Sequence, residues 1–216
     1  MKLPLRPLVF ACMFAACLDA GATGVAVVVH DAAGKPLADT VVYVEGEGAA
    51  APPKVQKSGE IEQKGLKFIP LVSVVQTGSK VSFPNNDKVR HHIYSFSPAH
   101  KFDQKLYSGV AAVPQVFERA GTVVLGCNIH DKMIAYVKVV DTPYFAKTDA
   151  SGVAHIELPA GGKYTVKAWH YNMTASANGE QTAQVKAGDV QTPLTFALAM
   201  KPPSVDADSP AADPRY

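Results

Sequence analysis

The sequence predicts an all-β protein made of two β-sandwiches, and two observations lead to this prediction. Short runs of Val, Ile, Thr and aromatic residues recur along the chain with period-two alternation, which is typical of strands. The 16 Gly and 16 Pro among 216 residues supply closely spaced turns. No segment shows a convincing helical period, so the strand spacing indicates sandwiches or barrels.

The N-terminal residues 1–22 are predicted to be a secretory signal peptide. A basic start is followed by the short apolar run from Leu8 to Leu18 and by the small-residue cleavage site Ala20-Gly21-Ala22. The mature protein is therefore expected in the periplasm. A lipid anchor at Cys17 is an alternative, since the residues before it loosely resemble a lipobox.

The first block after the signal, residues 24–46, holds two predicted strands. Val25 to Val29 is a run of β-forming residues, and Asp39 to Glu45 alternates between apolar and polar side chains. Residues 46–60 are rich in Ala, Pro, Lys and Gly without periodicity, so they are predicted to form a loop.

The second block, residues 60–141, is predicted to contain six short strands with turns between them. Residues 97–115 are predicted to be irregular, because Pro98, Gly109 and Pro114 interrupt them. The six strands are expected around Val72 to Val74, Val81 to Phe83, His92 to Phe96, Val116 and Phe117, Thr122 to Leu125, and Ile134 to Val140.

The third block, residues 142–200, is predicted to supply four more strands. These are Ala154 to Leu158, Tyr164 to Trp169, Thr182 to Val185, and Leu194 to Leu198. Residues 201–216 carry four prolines and three aspartates, so they are predicted to be a disordered tail.

Composition excludes several classes of function. Lys and Arg total 21 against 19 Asp and Glu, and a net charge of +2 argues against a protein that binds nucleic acid by massed phosphate neutralisation. No apolar run reaches the length of a spanning helix. The sequence shows no Ser-His-acid order, phosphate-binding loop or paired carboxylates placed for acid–base chemistry, so we do not expect an enzyme.

The segment from Gly126 to Met133 carries the chemistry. Of three cysteines, two lie in the predicted signal, so Cys127 is the one cysteine of the mature chain. Cys127, His130 and Met133 follow one another at three-residue steps, and this spacing can turn a thiolate, an imidazole and a thioether toward one point. Such ligands suit copper, and two histidines, one cysteine and a weak axial methionine make a blue-copper site.

A second histidine must come from another strand. His91 and His92 stand 36 and 35 residues before Cys127, at the start of a predicted strand. Strand alternation sends their two rings to opposite faces, so only one of them can be the ligand.

The sequence here resembles the cupredoxins, through Val81-x-Phe83, Asn85-Asn86, His91-His92-Ile93, Gly121-Thr122 and the run from Cys127 to Val139. The resemblance implies a Greek-key β-sandwich over residues 60–141, with His91, Cys127, His130 and Met133 as ligands of one type 1 copper. His91 lies eight residues after Phe83, as in plastocyanin, which favours it over His92. The resemblance also implies that His130 is a surface electron port.

Two further resemblances concern the whole chain. One is to bacterial proteins labelled methylamine utilization protein, through the residues 83–85, 91–97, 126–133 and 142–149. This label implies a cupredoxin-like exported protein and does not establish methylamine as a substrate. The segments from Val25 to Asp39 and from Thr148 to Val166 resemble carboxypeptidase regulatory-like β-sandwiches. We therefore expect residues 24–46 and 142–200 to form one sandwich with the copper domain inserted, because insertions succeed at exposed loop tips.

The function expected from these features is transfer of single electrons between protein redox partners. One alternative is a copper carrier or chaperone that uses the same ligands. Another is a metal-free binding or scaffold module that keeps the cupredoxin-like fold.

Overall fold

The computed structural model describes residues 22–47, 58–109, 113–159, 162–174, 179–186 and 193–202. These residues form strands, turns and bends without any helix, which confirms the prediction of an all-β protein. They therefore contain no helix that could cross a membrane. The predicted signal lies outside this part of the chain except for Ala22, and the predicted tail does so after Pro202.

The strands, in chain order, are β1 (Ala22–Asp31), β2 (Val41–Glu47), β3 (Ser58–Glu60), β4 (Glu62–Gln63), β5 (Phe68–Ile69), β6 (Val72–Gln76), β7 (Ser79–Ser82), β8 (His91–Ser95), β9 (Phe102–Tyr107), β10 (Gln115–Phe117), β11 (Gly121–Cys127), β12 (Ile134–Val140), β13 (Phe145–Lys147), β14 (Val153–Pro159), β15 (Lys163–Trp169), β16 (Gln181–Lys186) and β17 (Leu194–Leu198).

The first and last parts of the chain pair with each other in what we call the terminal sandwich. One sheet has the order β14-β1-β17 and the other the order β13-β2-β15-β16. β1 runs antiparallel to β14 and parallel to β17, while β2 is antiparallel to β13 and β15. Inward-facing residues of the two sheets, such as Val27, Val44, Ile156 and Val166, share one core. If the central residues are an inserted domain, the segments before and after them must pair with each other, as they do here. The domain boundaries themselves remain a prediction.

The middle of the chain forms the central sandwich. A five-stranded sheet of order β6-β12-β11-β8-β9 and a three-stranded sheet of order β10-β7-β3 enclose a second core. Phe83, Phe117 and Leu125 are fully buried there. Cys127 and Met133 belong to the same core cluster, so the thiol and the thioether both sit in an apolar environment.

The prediction that residues 97–115 are irregular is wrong in part, because Phe102–Tyr107 forms β9 at the edge of the five-stranded sheet. An edge strand is exposed on much of its surface, and Asp103, Lys105 and Leu106 all face solvent. The apolar alternation that marks a buried strand is therefore weak in this segment. The short strand Phe145–Lys147 was missed as well. The loop predicted at 46–60 is wrong at both ends, because β2 continues to Glu47 and Ser58–Glu60 pairs with β7 as β3 without an apolar pattern of its own. Residues 48–57 lie outside the described part of the chain.

The two sandwiches pack together through the outer face of β12. Val140 and Tyr136 on this face join the core of the terminal sandwich. Lys138 is 6% exposed, pairs with Glu180 at 2.5 Å, and lies over the Tyr43 ring. Burial raises the pKa of Tyr43, and its hydroxyl donates to the same Glu180 carboxylate. A buried cation thus meets its counter-charge across the contact between the sandwiches, as a buried charge must.

Candidate metal centre

Three side chains of the central sandwich bring one donor atom each to a common point. The Nδ1 atoms of His91 and His130 are 3.2 Å apart. The Cys127 sulfur lies 3.7 Å from Nδ1 of His91 and 3.5 Å from Nδ1 of His130. His91 and Cys127 are buried, whereas His130 is partly exposed, so one ring connects the cluster to solvent.

The strand pairing explains why these residues meet. Cys127 ends β11 and is paired with Ile93 of β8, two residues after His91. Both His91 and Ile93 point into the core because residues two apart share a strand face. The backbone NH of Asn128 donates to the His92 carbonyl at 3.0 Å, which fastens the start of the cysteine loop to β8.

The loop from Cys127 to Met133 is closed by its own backbone. The NH of Met133 donates to the His130 carbonyl at 2.9 Å, and the NH of Cys127 donates to the Met133 carbonyl at 3.2 Å. These bonds turn the His130 ring back toward Cys127. Met133 is 2% exposed and packs in the same core as Cys127, so its thioether is sequestered beside the cluster.

The structure distinguishes the two adjacent histidines. His91 is fully buried against Cys127 and His130, whereas the His92 ring lies on the other face of β8 and pairs with Asp103 on β9. Of these two rings, the structure brings only that of His91 to the cysteine. Its role as a ligand remains a prediction.

Sequence reasoning missed Asp87, which holds the far side of the His91 ring. Its Oδ2 lies 2.8 Å from His91 Nε2. Burial alone would raise the pKa of Asp87, but the hydrogen bond from His91 and those from the Leu66 and Gly65 backbone NH groups lower it overall. We infer that the ionised carboxylate accepts the Nε2 proton, which leaves the Nδ1 lone pair facing Cys127. The available signal was an acidic residue in the predicted turn, four positions before His91.

Asn85 is a second residue that sequence reasoning did not assign to the site. Its side-chain amide donates to the carbonyls of Val89 and Tyr107, both at 2.9 Å, and its Oδ1 accepts from the Asp87 NH at 3.0 Å. Asn85 is buried, so these bonds are shielded from water and fix the loop that leads into β8. The position of Asp87, and through it the orientation of His91, depends on this bracing.

The electrostatics favour neutral imidazole at His130. Desolvation is the largest cause that lowers the pKa of His130, the charge of His91 lowers it further, and Asp87 opposes the change. Metal binding requires deprotonated ligands, so a lowered histidine pKa keeps the site competent to a lower pH.

The three donor atoms fit a single first-row transition metal ion. Bonds of about 2.0–2.1 Å to nitrogen and about 2.3 Å to sulfur, in a trigonal plane, require separations of about 3.5 Å between nitrogens and about 3.8 Å between nitrogen and sulfur. The observed separations are 3.2, 3.5 and 3.7 Å, and all three donor atoms lie within 4.8 Å of one another. One ion can therefore contact all three donors with only small movements. In the described ranges, no other group of three or more His, Cys, Asp or Glu side chains brings its donor atoms this close together.

Replacing Asp87 should weaken the site without removing a donor atom. We expect Asp87→Asn to reduce copper affinity by about 10- to 100-fold, because the neutral amide no longer holds the His91 ring by a charged hydrogen bond. A competition titration with a chelator of known affinity measures the change. The matched control is Asp131→Asn, an exposed carboxylate in the cysteine loop, which should leave the affinity unchanged. Equal affinities for the two variants would exclude the positioning role of Asp87.

Comparison with known proteins gives structural likenesses only. No protein-family model matches the sequence, and no curated protein matches it either. A purple cupredoxin from Nitrosopumilus maritimus aligns at 22% identity and a TM-score of 0.34, over 38% of this chain and 99% of that one. Amicyanin from Paracoccus versutus aligns at 16% identity and a TM-score of 0.36, over 45% of this chain and 98% of amicyanin. A copper-containing nitrite reductase from Thermus scotoductus aligns at 20% identity and a TM-score of 0.37, over 44% of this chain and 25% of the reductase.

Likenesses at this level do not assign the chain to a family. The function proposed below therefore rests on the geometry of the cluster itself.

Proposed function

We propose that this chain is an exported, periplasmic copper protein that carries single electrons between protein redox partners. His91, Cys127 and His130 would hold one copper ion, with the Met133 thioether as a further, weak ligand. The observation that carries the proposal is the convergence of two imidazole Nδ1 atoms and one thiolate sulfur at separations of 3.2 to 3.7 Å. Copper bound there supplies a one-electron couple.

The ligand chemistry favours copper over zinc. Structural zinc sites use Cys, His and carboxylate ligands, whereas the fourth candidate here is Met133, which is buried in the same core as Cys127. Two histidines, one cysteine and a weak methionine ligand make the type 1 copper arrangement. This donor set also supports the resemblance to cupredoxins that the sequence motifs indicate.

The surroundings of the cluster suit electron transfer. His91, Cys127 and Met133 are at most 3% exposed, so three of the four donors are closed to substrate and to bulk water. Because the ligands occupy strand ends and a hydrogen-bonded loop, they are held in place while an electron arrives or leaves. His130 is the partly exposed donor, and an electron would enter or leave through its ring. We propose no catalysis at the metal, since four protein ligands leave no position for substrate.

The same observations favour an electron carrier over a copper carrier. A chaperone must pass its ion to another protein by ligand exchange, and this requires accessible donors. Here the thiolate and one imidazole lie in the core, and the cysteine loop is fastened at both ends by backbone hydrogen bonds. Repeated reduction and reoxidation without loss of copper is the behaviour we expect.

Met133→Leu should keep the blue colour and raise the reduction potential. The thioether donates electron density to Cu(II), whereas leucine donates none, so the reduced state gains in relative stability. The volume change is small, and the core should tolerate it. Electrochemistry of both proteins at one pH measures the effect. If the potential does not change, Met133 is a core residue and not a ligand.

A further inference from the structure

Three loops meet at the end of the central sandwich where His130 reaches the surface. They comprise residues 64–67, 86–91 and 128–133. Asp87 accepts hydrogen bonds from the backbone NH groups of Gly65 and Leu66, at 2.6 and 3.1 Å, and contacts the ring of His91. His91 in turn lies against His130. The three loops are therefore linked by one chain of contacts, and we call them together the basic end.

The basic end concentrates positive charge. Its three loops carry five cations, all exposed: Lys64, Lys67, Lys88, Arg90 and Lys132. They carry only two anions, Asp87 and Asp131, so their net charge is +3 with neutral histidines, whereas the whole chain carries +2. The remaining residues are therefore close to neutral in sum.

The five cations are available to an external partner. None of them forms an ion pair with another side chain in the described ranges. The carboxylate of Asp87 bonds His91 and two backbone NH groups and forms no ion pair with a lysine or arginine of the described ranges. Uncompensated charges of one sign attract partners of the other sign over a distance of about 10 Å at moderate salt.

The same loops expose three large apolar side chains. Leu66 is 49% exposed, Val89 45% and Ile129 48%. Each of the three loops contributes one of them, and Ile129 directly precedes His130. Protein docking surfaces combine exposed apolar side chains with polar and charged ones, and these three loops supply both kinds. Branched aliphatic side chains offer no stacking platform of the kind that single-stranded nucleic acid requires.

We propose that the basic end docks a redox protein with an acidic surface, whose own redox centre is thereby brought close to His130. This inference rests on the proposed function, because it assigns the partner class for the same site. The lysines and Arg90 would steer the encounter, and Leu66, Val89 and Ile129 would make the short-range contact. Such encounters are small and transient, and electrostatic complementarity governs their rate and specificity more than their affinity.

The first test uses the copper-free protein and needs no electron transfer. Isotope-labelled protein is titrated with poly-L-glutamate at low ionic strength, and amide chemical shifts are recorded. We expect the shifts to concentrate in residues 64–67, 86–91 and 128–133, and poly-L-lysine to cause none there. Shifts spread evenly over the chain would overturn the docking surface. So would tighter binding to phosphatidylglycerol vesicles than to polyglutamate, which would favour a lipid surface.

A matched pair of variants isolates the position of the charge. The triple substitution Lys67→Gln, Lys88→Gln and Lys132→Gln removes one cation from each loop and should weaken polyglutamate binding at least tenfold. The control triple Lys35→Gln, Lys163→Gln and Lys201→Gln removes the same charge from exposed lysines of the terminal sandwich and should change binding less than twofold. Equal weakening by both triples would show that only net charge matters, which contradicts the proposal.

The second test separates this inference from the proposed function. Copper-loaded protein is mixed with the anionic reductant hexacyanoferrate(II), which gives up one electron to become hexacyanoferrate(III), and with the cationic reductant hexaammineruthenium(II). Raising salt from 10 to 500 mM should slow the first reaction about tenfold and accelerate the second. A protein that forms no blue copper site defeats the proposed function, while the polyglutamate titration still decides the docking surface. A blue protein whose two rates respond alike to salt defeats the docking surface alone.

Discussion

Cys127→Ser is expected to abolish the visible colour of the copper-loaded protein. The intense absorption of a type 1 site comes from charge transfer between thiolate sulfur and Cu(II), and the Cys127 sulfur lies 3.7 Å from Nδ1 of His91 and 3.5 Å from Nδ1 of His130. Serine keeps the side-chain shape but offers a hard oxygen donor in place of the soft thiolate. The absorption spectrum and copper content of both proteins, measured side by side, give the result.

The control for this variant is its fold. Cys127 is 3% exposed in an apolar core, so a buried hydroxyl costs some stability, on the order of 1–3 kcal/mol. Circular dichroism and thermal unfolding of the copper-free proteins separate that loss from the loss of a ligand. A folded Cys127→Ser protein that keeps the intense band would contradict the assignment of the thiolate.

His91→Ala is expected to destroy the type 1 spectrum, whereas His92→Ala should leave a blue protein. The His91 ring is buried against Cys127, and its loss removes one of the two nitrogen donors and leaves a hole in the site. The His92 ring pairs with Asp103 on the opposite face of β8, so its removal costs only a partly exposed contact.

The two histidine variants serve as controls for each other. They are neighbours on one strand and remove the same chemical group, and circular dichroism of the copper-free proteins shows whether the hole left by His91→Ala also changes the fold. Visible spectra after addition of one equivalent of Cu(II) give the comparison. A blue His91→Ala protein together with a colourless His92→Ala protein would mean that the register of β8 is displaced by one residue.

The local sequence was sufficient to predict most strands and the meeting of His91, Cys127 and His130. Alternation marked β11 and β12, and the spacing Cys127, His130, Met133 between them predicted that the donors converge. Cys127 and His130 do lie together, and His91 joins them from β8. These features could be predicted because a strand fixes the direction of each side chain and a short loop limits where its residues can point.

Features that depend on contacts between distant segments could not be predicted. The role of Asp87 requires the loop 64–67 to supply two NH donors, and nothing in the turn sequence indicates which loop lies opposite. The burial of Lys138 likewise depends on the terminal sandwich covering one face of β12. A lysine on an alternating strand is expected to face solvent, and here the other sandwich takes the place of solvent.

The edge strand β9 was missed for a related reason. Its residues alternate only weakly in hydrophobicity, because just one side of the strand meets a neighbour and its face is largely open. Backbone pairing with β8, and not apolar burial, makes it a strand. Sequence patterns report burial, so they are least informative at the edges of sheets.

The most direct test of the central claim is the absorption spectrum of the wild-type protein during titration with Cu(II). The convergence of two imidazoles and a buried cysteine sulfur predicts an intense blue band that grows linearly to one equivalent of copper and disappears on reduction. A protein that binds one equivalent of Cu(II) and remains colourless would contradict a type 1 site at His91, Cys127 and His130.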